Sequence, residues 1–359
     1  MRVTVVGGGN IGTQFAVHCA EKNHEVTMFT SSIEGFSKKL KIVDENNVIT
    51  HEGTLKTVTT DEKVAFSDTE LIFITYPAFM MDKIAATIEP YVYEGLKIAV
   101  IPGTGGCECA FKKCIEKGAI FIGMQRVPSV ARLVKKGETV QAVGYRGTLN
   151  IATIPSKYST ECASMIEGIF DIKCIGLPNY LNVALTPSNP ILHTTRLCNI
   201  FEDYEDGKVY DSLPLFYEGW NDETSNLLFN CDTELQNICK SIDGFDLSHV
   251  ISLKIHYESP TSQALTNKIK SIKGFKNLTT PSKMVDGKYI PDLNSRYFTA
   301  DFNYGLIILI QIAKLFGVET PNMQKVWDWY DKIKVFDLKF SFSNYDINTK
   351  QDFLKFYGA

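Results

Sequence analysis

The residues that decide the fold are Val3-Thr4-Val5-Val6-Gly7-Gly8-Gly9-Asn10-Ile11-Gly12. A short β-branched run predicts a strand, and the helical pattern over residues 13–22 predicts a helix. Between them, Gly7, Gly9 and Gly12 have the spacing G-x-G-x-x-G. In such a turn the first glycine permits a tight bend, the second lets the backbone approach a pyrophosphate, and the third lets the helix pack on the sheet. We therefore expect a dinucleotide-binding turn, with the N–H groups of Asn10 and Ile11 at the phosphates.

Alternating strands and helices continue this unit. Strands are predicted over residues 24–29, 47–60, 70–75, 97–101, 119–123, 141–145, 148–154 and 170–177, and a helix over 80–88. The stretch 47–60 is predicted as a hairpin or a pair of edge strands, and 141–154 as a hairpin. Such alternation indicates a doubly wound, mainly parallel sheet, that is, a Rossmann domain over residues 1–184. From Leu185 the pattern changes to long helical segments, which predicts an all-α substrate and catalytic domain over residues 185–359.

Composition excludes several classes of function. Of the 359 residues, 44% are hydrophobic and 22% charged, as in ordinary globular proteins. The net charge of −4 and the absence of a basic run argue against a nucleic-acid partner. Nine cysteines without a signal-peptide pattern predict a reduced, cytoplasmic protein. The apolar run Gly305–Phe316 is too short to span a membrane and predicts a buried helix.

No metal site is expected. Cys107, Cys109 and Cys114 lack a usual zinc spacing, and no nearby histidine completes a set. His18 lies in the first predicted helix and His24 begins a strand, while His51, His249 and His256 have no partner at metal-ligand spacing. All five are interpreted as structural or solvated.

The end of the second predicted strand bears on cofactor choice. An acidic residue there would bind the ribose 2′-hydroxyl of NAD, but the sequence has Thr30, Ser31 and Ser32. These hydroxyls, with Lys38 and Lys39 nearby, favour a 2′-phosphate and hence NADP(H) over NAD(H). In the alternative interpretation, the hydroxyls cap the next helix and the lysines are solvated.

Ligands of doubly wound sheets bind beyond the carboxyl ends of the strands. Two predicted strands end in Thr75-Tyr76-Pro77-Ala78 and in Gly103-Thr104-Gly105-Gly106. We therefore expect these residues to line the nicotinamide side of the cofactor cleft, with Tyr76 and Pro77 at the cofactor and Thr104 at the substrate.

Short motifs occur in a characteristic order along both halves of the chain. After the glycine turn come Tyr76-Pro77-Ala78, Pro102-Gly103-Thr104-Gly105-Gly106, Pro128-Ser129-Val130-Ala131-Arg132, Asn189-Pro190-x-x-His193, Tyr217-Glu218-Gly219, Ala300-Asp301 before Gly305-Leu306, and Gly317-Val318-x-Thr320-Pro321. In this order and spacing the chain resembles the opine dehydrogenase family, the octopine/nopaline type of NAD(P)-dependent enzyme.

The resemblance implies a reaction between two small-molecule substrates. An amino acid's amine condenses with a 2-oxo acid such as pyruvate, and hydride from NAD(P)H reduces the resulting imine to a secondary amine dicarboxylate. Histidine is the residue type best suited to give and take a proton near neutral pH, so His193 is assigned as the general acid and base. By resemblance, Asp301 orients its imidazole and stabilises the charged form.

Substrate-binding residues follow from the same resemblance. Arg132 matches an arginine that would bind a 2-oxo acid carboxylate in bidentate fashion, or it forms an ion pair. Asn189 either hydrogen-bonds substrate or cofactor or caps the helix that carries His193. Met124-Gln125 stands where an acidic residue and a threonine are expected, and Ser129-Val130 replaces a tyrosine-containing pair, so the substrate pocket departs from the family pattern.

Two other classes of protein remain open. A ketopantoate-reductase-like or glycerol-3-phosphate-dehydrogenase-like enzyme would carry a catalytic lysine early in the helical domain, but residues 189–200 contain none. A nucleotide-binding sensor without turnover would not need His193 and Asp301. The sequence is also compatible with a homodimer.

Overall fold

The computed structural model describes residues 1–186 and 189–358. The chain divides into two compact units, one formed by Met1–Ala184 together with the residues from Lys355 onward, the other by Leu185–Leu354. The end of the chain thus returns to the first unit, which the sequence pattern did not indicate.

The first unit contains two sheets. Its strands are β1 (Arg2–Val6), β2 (Glu25–Phe29), β3 (Lys39–Val43), β4 (Ile49–Thr54), β5 (Thr57–Thr59), β6 (Leu71–Ile74), β7 (Lys97–Val100), β8 (Ile120–Met124), β9 (Val130–Lys135), β10 (Thr139–Val143), β11 (Thr148–Ile154) and β12 (Lys173–Gly176). Its helices are α1 (Asn10–Glu21), α2 (Glu62–Phe66), α3 (Met81–Ile88), α4 (Cys107–Ala110), α5 (Lys112–Glu116), α6 (Ser159–Phe170) and α7 (Leu181–Ala184).

The larger sheet has eight strands in the order β12-β11-β8-β7-β6-β1-β2-β5. Every neighbouring pair is parallel except β8 with β11, which confirms the doubly wound, mainly parallel prediction. Its central strands are buried on both faces, as parallel strands covered by helices are. Phe15 of α1 packs its ring 5.0 Å from Phe73 of β6 and 4.5 Å from Phe170 of α6. This aromatic cluster fixes α1, and with it the glycine turn, against the sheet.

A smaller sheet has the order β4-β3-β10-β9. The hairpin predicted over residues 141–154 is wrong, because β10 pairs with β3 and β9 in this sheet, whereas β11 pairs with β8 and β12 in the larger one. Gly144, with φ +66°, lies in the link where the chain passes from β10 in the small sheet to β11 in the large one. Alternating strands joined by a short glycine-containing link look the same whether they form a hairpin or change sheets. The stretch 47–60 forms a pair of edge strands, one of the two predicted alternatives, with β4 at the edge of the small sheet and β5 at the edge of the large one.

The second unit is helical. Its helices are α8 (Asn189–Ile200), α9 (Asp222–Ser241), α10 (Leu253–His256), α11 (Ser262–Ser271), α12 (Arg296–Thr299), α13 (Ile307–Phe316) and α14 (Pro321–Ile333), and the last helix of the chain is α15 (Lys350–Tyr357). The long α9 packs against α8, α11, α13 and α14. This confirms the predicted helical domain.

One hairpin interrupts the helices. Strands β13 (Ser282–Val285) and β14 (Lys288–Pro291) pair antiparallel around Asp286-Gly287, both with positive φ. An Asp-Gly pair at the centre of a two-residue turn is a strong hairpin signal, so this hairpin is one that the sequence could have predicted.

Among residues 1–186 and 189–358, one helical stretch, Arg296–Phe316, is long and apolar enough to cross a membrane. More than half of its apolar window is buried within the protein, as in the core helix of a globular domain. The predicted buried helix over Gly305–Phe316 corresponds to α13 and the π-helical turn Phe302–Leu306 that precedes it.

Candidate active site

The glycine turn joins β1 to α1 as the sequence predicts. Gly7 has φ +106°, which suits glycine, and a Cβ added at Gly12 would lie 1.6 Å from the carbonyl oxygen of Gly7. A Cβ built on Gly9, by contrast, meets no atom of residues 1–186 or 189–358 within 4 Å. Two glycines are therefore required by the protein's own packing, while the space at Gly9 is open to a ligand.

Neighbouring side chains hold this turn. The Thr75 hydroxyl donates to the carbonyl oxygen of Val6 at 3.1 Å, and the half-buried Tyr76 ring borders Gly7. The Asn10 side-chain oxygen accepts from the backbone N–H of Leu133 on β9 at 2.8 Å. The Asn10 side chain therefore ties α1 to the small sheet. The first-turn N–H groups of α1, including that of Ile11, have no acceptor within the helix, which is the property that makes helix N-termini suitable for anions. Pro77 is exposed beside Tyr76.

The segment after β2 forms a turn rather than a helix start. Thr30 is buried and its N–H donates to Thr59, Ser32 Oγ accepts from the N–H of Glu34 at 3.2 Å, and Ser31 is exposed. The next element is β3, so the alternative in which these hydroxyls cap a helix is wrong. Lys38 is exposed, whereas Lys39 pairs with Glu52 at 3.1 Å.

The loop that carries Thr104 is held on both sides. The N–H of Gly103 donates to the carbonyl of Met124 at 2.9 Å, and the buried Tyr180 hydroxyl donates to the carbonyl of Gly103 at 2.7 Å. The thiol of Cys107 donates to the Thr104 carbonyl at 2.7 Å. These contacts leave Thr104 half-buried at the carboxyl end of β7, the edge where ligands of such sheets bind.

His193 lies in the middle of a buried hydrogen-bond chain in the second unit. Its Nδ1 atom is 2.8 Å from the Asp301 carboxylate, and its Nε2 atom is 2.7 Å from the Tyr217 hydroxyl. His193 lies on α8, and Asp301 directly precedes the π-helical turn Phe302–Leu306. Turns of this kind often occur at functional sites. The structure thus brings together the two residues to which catalysis is assigned.

Tyr217 belongs to this hydrogen-bond chain, although the sequence predicted no role for it. Its ring stacks on Phe275, with centroids 4.0 Å apart. Burial raises the pKa of the Tyr217 hydroxyl well above its usual range, with Tyr297, Tyr257 and Asp301 acting in the same direction and Arg296 opposing them. The hydroxyl therefore keeps its proton at neutral pH, and it can donate to a neutral His193 or accept from a charged one. Its place in the Tyr217-Glu218-Gly219 motif was the available signal.

The predicted substrate-binding residues lie in both units. Arg132 is on β9, exposed, and its Nη1 donates to the carbonyl of Ala131 at 3.1 Å. Asn189 is the first residue of α8 and is exposed, while residues 187 and 188 before it lie outside the described residues. Thr104, Arg132 and the glycine turn belong to the first unit; Asn189, His193 and Asp301 belong to the second.

The departure at Met124-Gln125 has a structural explanation. Met124 is buried at the end of β8, and the Gln125 amide donates to the carbonyl of Asn182 at 3.1 Å. The Asn150 amide donates to the Gln125 side-chain oxygen at 2.9 Å. The Gln125 amide, directly after β8, both donates and accepts and so reaches β11 and α7, which the shorter threonine expected at position 125 would not do.

Two histidines interpreted as isolated come together in space. His18, Glu21 and His51 place one potential ligand atom each within 4.8 Å of one another, a proximity that the sequence spacing did not indicate. Burial lowers the pKa of His18 to about 3, and the charge of His51 acts in the same direction. The distance in sequence between α1 and β4 concealed this cluster.

Comparisons with known proteins agree with these features. Residues 176–334 match the family model described as the α-helical domain of NAD/NADP octopine/nopaline dehydrogenase, and residues 2–117 match that of the N-terminus of NAD-dependent glycerol-3-phosphate dehydrogenase. Tauropine dehydrogenase of Arabella iricolor is 27% identical over 92% of this chain and 91% of its own length. Octopine dehydrogenase of Pecten maximus is 26% identical over 92% and 89%.

The fold is also that of a solved relative. A structure of octopine dehydrogenase with NADH and L-arginine superposes with a TM-score of 0.87, at 23% identity, over 100% of this chain and 98% of that one. Together with the matched helical domain and the curated relatives, the His193–Asp301 pair and the dinucleotide turn identify the enzyme class. This chain belongs to the opine dehydrogenase family of NAD(P)-dependent oxidoreductases.

Proposed function

We propose that the protein catalyses the NAD(P)H-dependent reductive condensation of an amino acid with a 2-oxo acid, pyruvate in the first instance, to an N-carboxyalkyl amino acid. The observation that carries the proposal is the position of His193, held at both ring nitrogens by Asp301 and Tyr217. Solved structures of octopine dehydrogenase contain NADH with L-arginine or with pyruvate, which supports these substrate classes.

In this proposal His193 manages the protons of the condensation. The amine adds to the ketone carbon to give a carbinolamine. The imidazolium then gives its Nε2 proton to the Tyr217 hydroxyl, which passes its own proton to the carbinolamine oxygen, and that oxygen leaves as water. Asp301 holds the ring in one tautomer and stabilises its positive charge, as the third member of a catalytic triad does. The bound dinucleotide supplies the hydride that reduces the imine carbon. Tyr217 satisfies the Nε2 atom in either protonation state of the ring.

A cation must bind the carboxylate of the 2-oxo acid. The sequence predicts Arg132 for this role, because a guanidinium binds a carboxylate through two parallel hydrogen bonds. A second candidate is Arg296 on α12, whose guanidinium lies 5.7 Å from the ring of Tyr297; that ring in turn lies 4.6 Å from the His193 ring. Arg132→Lys and Arg296→Lys, assayed side by side, identify the anchor as the one whose change raises the KM for the 2-oxo acid.

For the cofactor, we propose a preference for NADP(H). The exposed Ser31 and Lys38 support it, because a hydroxyl and an ammonium suit a 2′-phosphate. Glu34, exposed in the same turn, opposes it. Among relatives by fold, octopine dehydrogenase has been solved with NADH and yersinopine dehydrogenase with NADP⁺.

The proposed activity is tested by the loss of NADPH and NADH absorbance when pyruvate and single amino acids are supplied together. We expect oxidation that depends on both substrates. Reduction of a 2-oxo acid without an amine would instead indicate a ketopantoate-reductase-like or glycerol-3-phosphate-dehydrogenase-like enzyme. Tight nucleotide binding with no oxidation across the panel would indicate a sensor.

A cytoplasmic location and a homodimer remain part of the proposal. All nine cysteines, each among the described residues, are free, which suits a reducing compartment. Light scattering of the purified protein at several concentrations tests the dimer.

A further inference from the structure

A cluster of potential metal ligands lies on the first unit, away from the glycine turn in sequence and formed by His18, Glu21 and His51. His18 and Glu21 are three positions apart on α1, so they share one face of that helix. His51 comes from β4, which packs against α1. The three ligand atoms all lie within 4.8 Å of one another. Two rigid elements therefore present three ligands to one point.

Hydrogen bonds and ring contacts orient these side chains. His51 Nδ1 is 2.8 Å from a carboxylate oxygen of Glu21, and His18 Nε2 is 3.0 Å from the Tyr145 hydroxyl. The two imidazole rings have centroids 4.7 Å apart, and Phe170 packs 5.2 Å from the His18 ring. His18 is thus fixed in the interior, while the Glu21 and His51 side chains, 36% and 33% exposed, are able to adjust.

The surroundings favour a cation. Lys22, next to Glu21 in the chain, pairs with Asp171 at 2.6 Å. The positive charge of Lys22 is therefore balanced by Asp171 and does not cancel the negative charge of Glu21. A surface cavity of about 370 Å³ reaches His51 and Tyr145 and has the exposed carboxylate of Glu45 in its lining. An ion entering by this cavity would meet a net negative site.

We propose that the His18 cluster binds one divalent transition metal ion of the zinc class and thereby joins α1 to β4. Two imidazole nitrogens and one carboxylate are a donor set typical of zinc, whereas calcium and magnesium require oxygen ligands. Ligand atoms on a tetrahedral zinc ion stand about 3.3 Å apart. The required approach, about 1.5 Å at most, is within the reach of the half-exposed Glu21 and His51 side chains. An oxygen from Tyr145 or from a water molecule provides the fourth ligand.

Calorimetric titration of the chelator-treated full-length protein with Zn²⁺ tests the proposal. We expect a single site, and at least tenfold weaker binding in His51→Gln and in Glu21→Gln. Both substitutions lie on the surface side of the cluster, so they spare the buried His18 and the fold. Zn²⁺ should also raise the melting temperature of the unmodified protein more than that of either variant, because a metal that binds the folded state stabilises it.

Two controls separate this cluster from other ligands. His249→Gln removes an exposed histidine elsewhere, and His24→Gln removes the ring that lies 3.3 Å from the terminal amine. Co²⁺ loading should give the visible spectrum of a tetrahedral nitrogen and oxygen site without the near-ultraviolet thiolate band that cysteine ligation would produce. Absence of saturable binding below millimolar Zn²⁺, equal affinity in all four variants, or a thiolate band would overturn the proposal.

Discussion

His193 and Asp301 are 108 positions apart, yet the Nδ1 atom of one lies 2.8 Å from a carboxylate oxygen of the other. Both side chains are largely buried, with 5% and 16% of their surface exposed. A histidine whose Nδ1–H faces a carboxylate has its Nε2 atom fixed as the one that exchanges protons.

Asp301→Asn and His193→Gln should each lower kcat by about 10²- to 10⁴-fold, because the first allows the wrong imidazole tautomer and the second removes the proton donor. NAD(P)H binding, measured by fluorescence titration, should change less than threefold in both. The double variant should be no slower than the worse single variant, since the two residues act as one unit. Unchanged turnover in either variant would refute the assigned roles.

Tyr217→Phe should reduce kcat about 10- to 100-fold, the effect of losing one hydrogen bond to a group that becomes charged. Steady-state assays with both substrates measure the change. Tyr297→Phe is the matched control, because its ring also lies beside His193, at 4.6 Å, while Tyr217 supplies the hydroxyl contact to Nε2. Equal effects of the two substitutions would mean that the Tyr217 hydroxyl has no special part.

Gly9→Ala should impair nucleotide binding, whereas Gly12→Ala should impair folding. At Gly12 an added Cβ would lie 1.6 Å from the Gly7 carbonyl oxygen, so Gly12→Ala should lower the unfolding midpoint markedly or prevent folding. At Gly9, with φ −85°, the fold should survive. The new methyl group should nevertheless weaken dinucleotide binding at least tenfold, because the open space there would accommodate the pyrophosphate. Circular dichroism and nucleotide titration of both variants check this; tight binding by Gly9→Ala would place the phosphates elsewhere.

Ser31→Asp should weaken NADPH binding more than NADH binding, because a carboxylate repels a 2′-phosphate and accepts from a 2′-hydroxyl. Glu34→Gln, in the same turn, should act in the opposite direction. Dissociation constants for both nucleotides measure each effect. Equal changes for NADPH and NADH would show that the 2′ position lies outside this turn.

Stability should fall as pH rises from about 4.5 to about 7 because of Glu108. Burial raises the pKa of this carboxyl to about 7 despite the hydrogen bond donated by the Tyr357 hydroxyl. Over that interval the folded state retains a proton that the unfolded chain has lost, so folding becomes less favourable by about 3 kcal/mol in total. The destabilisation is complete above the folded pKa and absent below the unfolded one.

Glu108→Gln should remove this dependence and raise the denaturant midpoint at pH 8 relative to the parent, with little gain at pH 4.5. Glu116→Gln, an exposed change on α5, is the control and should leave the pH profile unchanged. A parent profile that Glu108→Gln does not flatten would show that the carboxyl titrates normally in the folded protein.

Local sequence patterns were sufficient to predict the glycine turn and the division of the chain into an α/β unit and a helical unit. The glycine spacing after a β-branched run predicted the β1–α1 turn, because its steric demands are met within a dozen residues. The change of period at Leu185 predicted the helical unit, since periodicity is a property of each segment by itself. His193 and Asp301 were found because the motifs around them resemble a known family.

Tertiary structure decided what depends on the pairing of distant segments. Tyr217 reaching Nε2 of His193, β10 and β11 joining different sheets, Tyr357 returning to Glu108, and His51 meeting His18 are all such cases. The sequence of a short polar stretch does not show which distant residues it contacts in the folded protein. Their positions follow from how buried strands and helix faces pack, and that packing is the sum of many contacts that no single stretch of sequence contains.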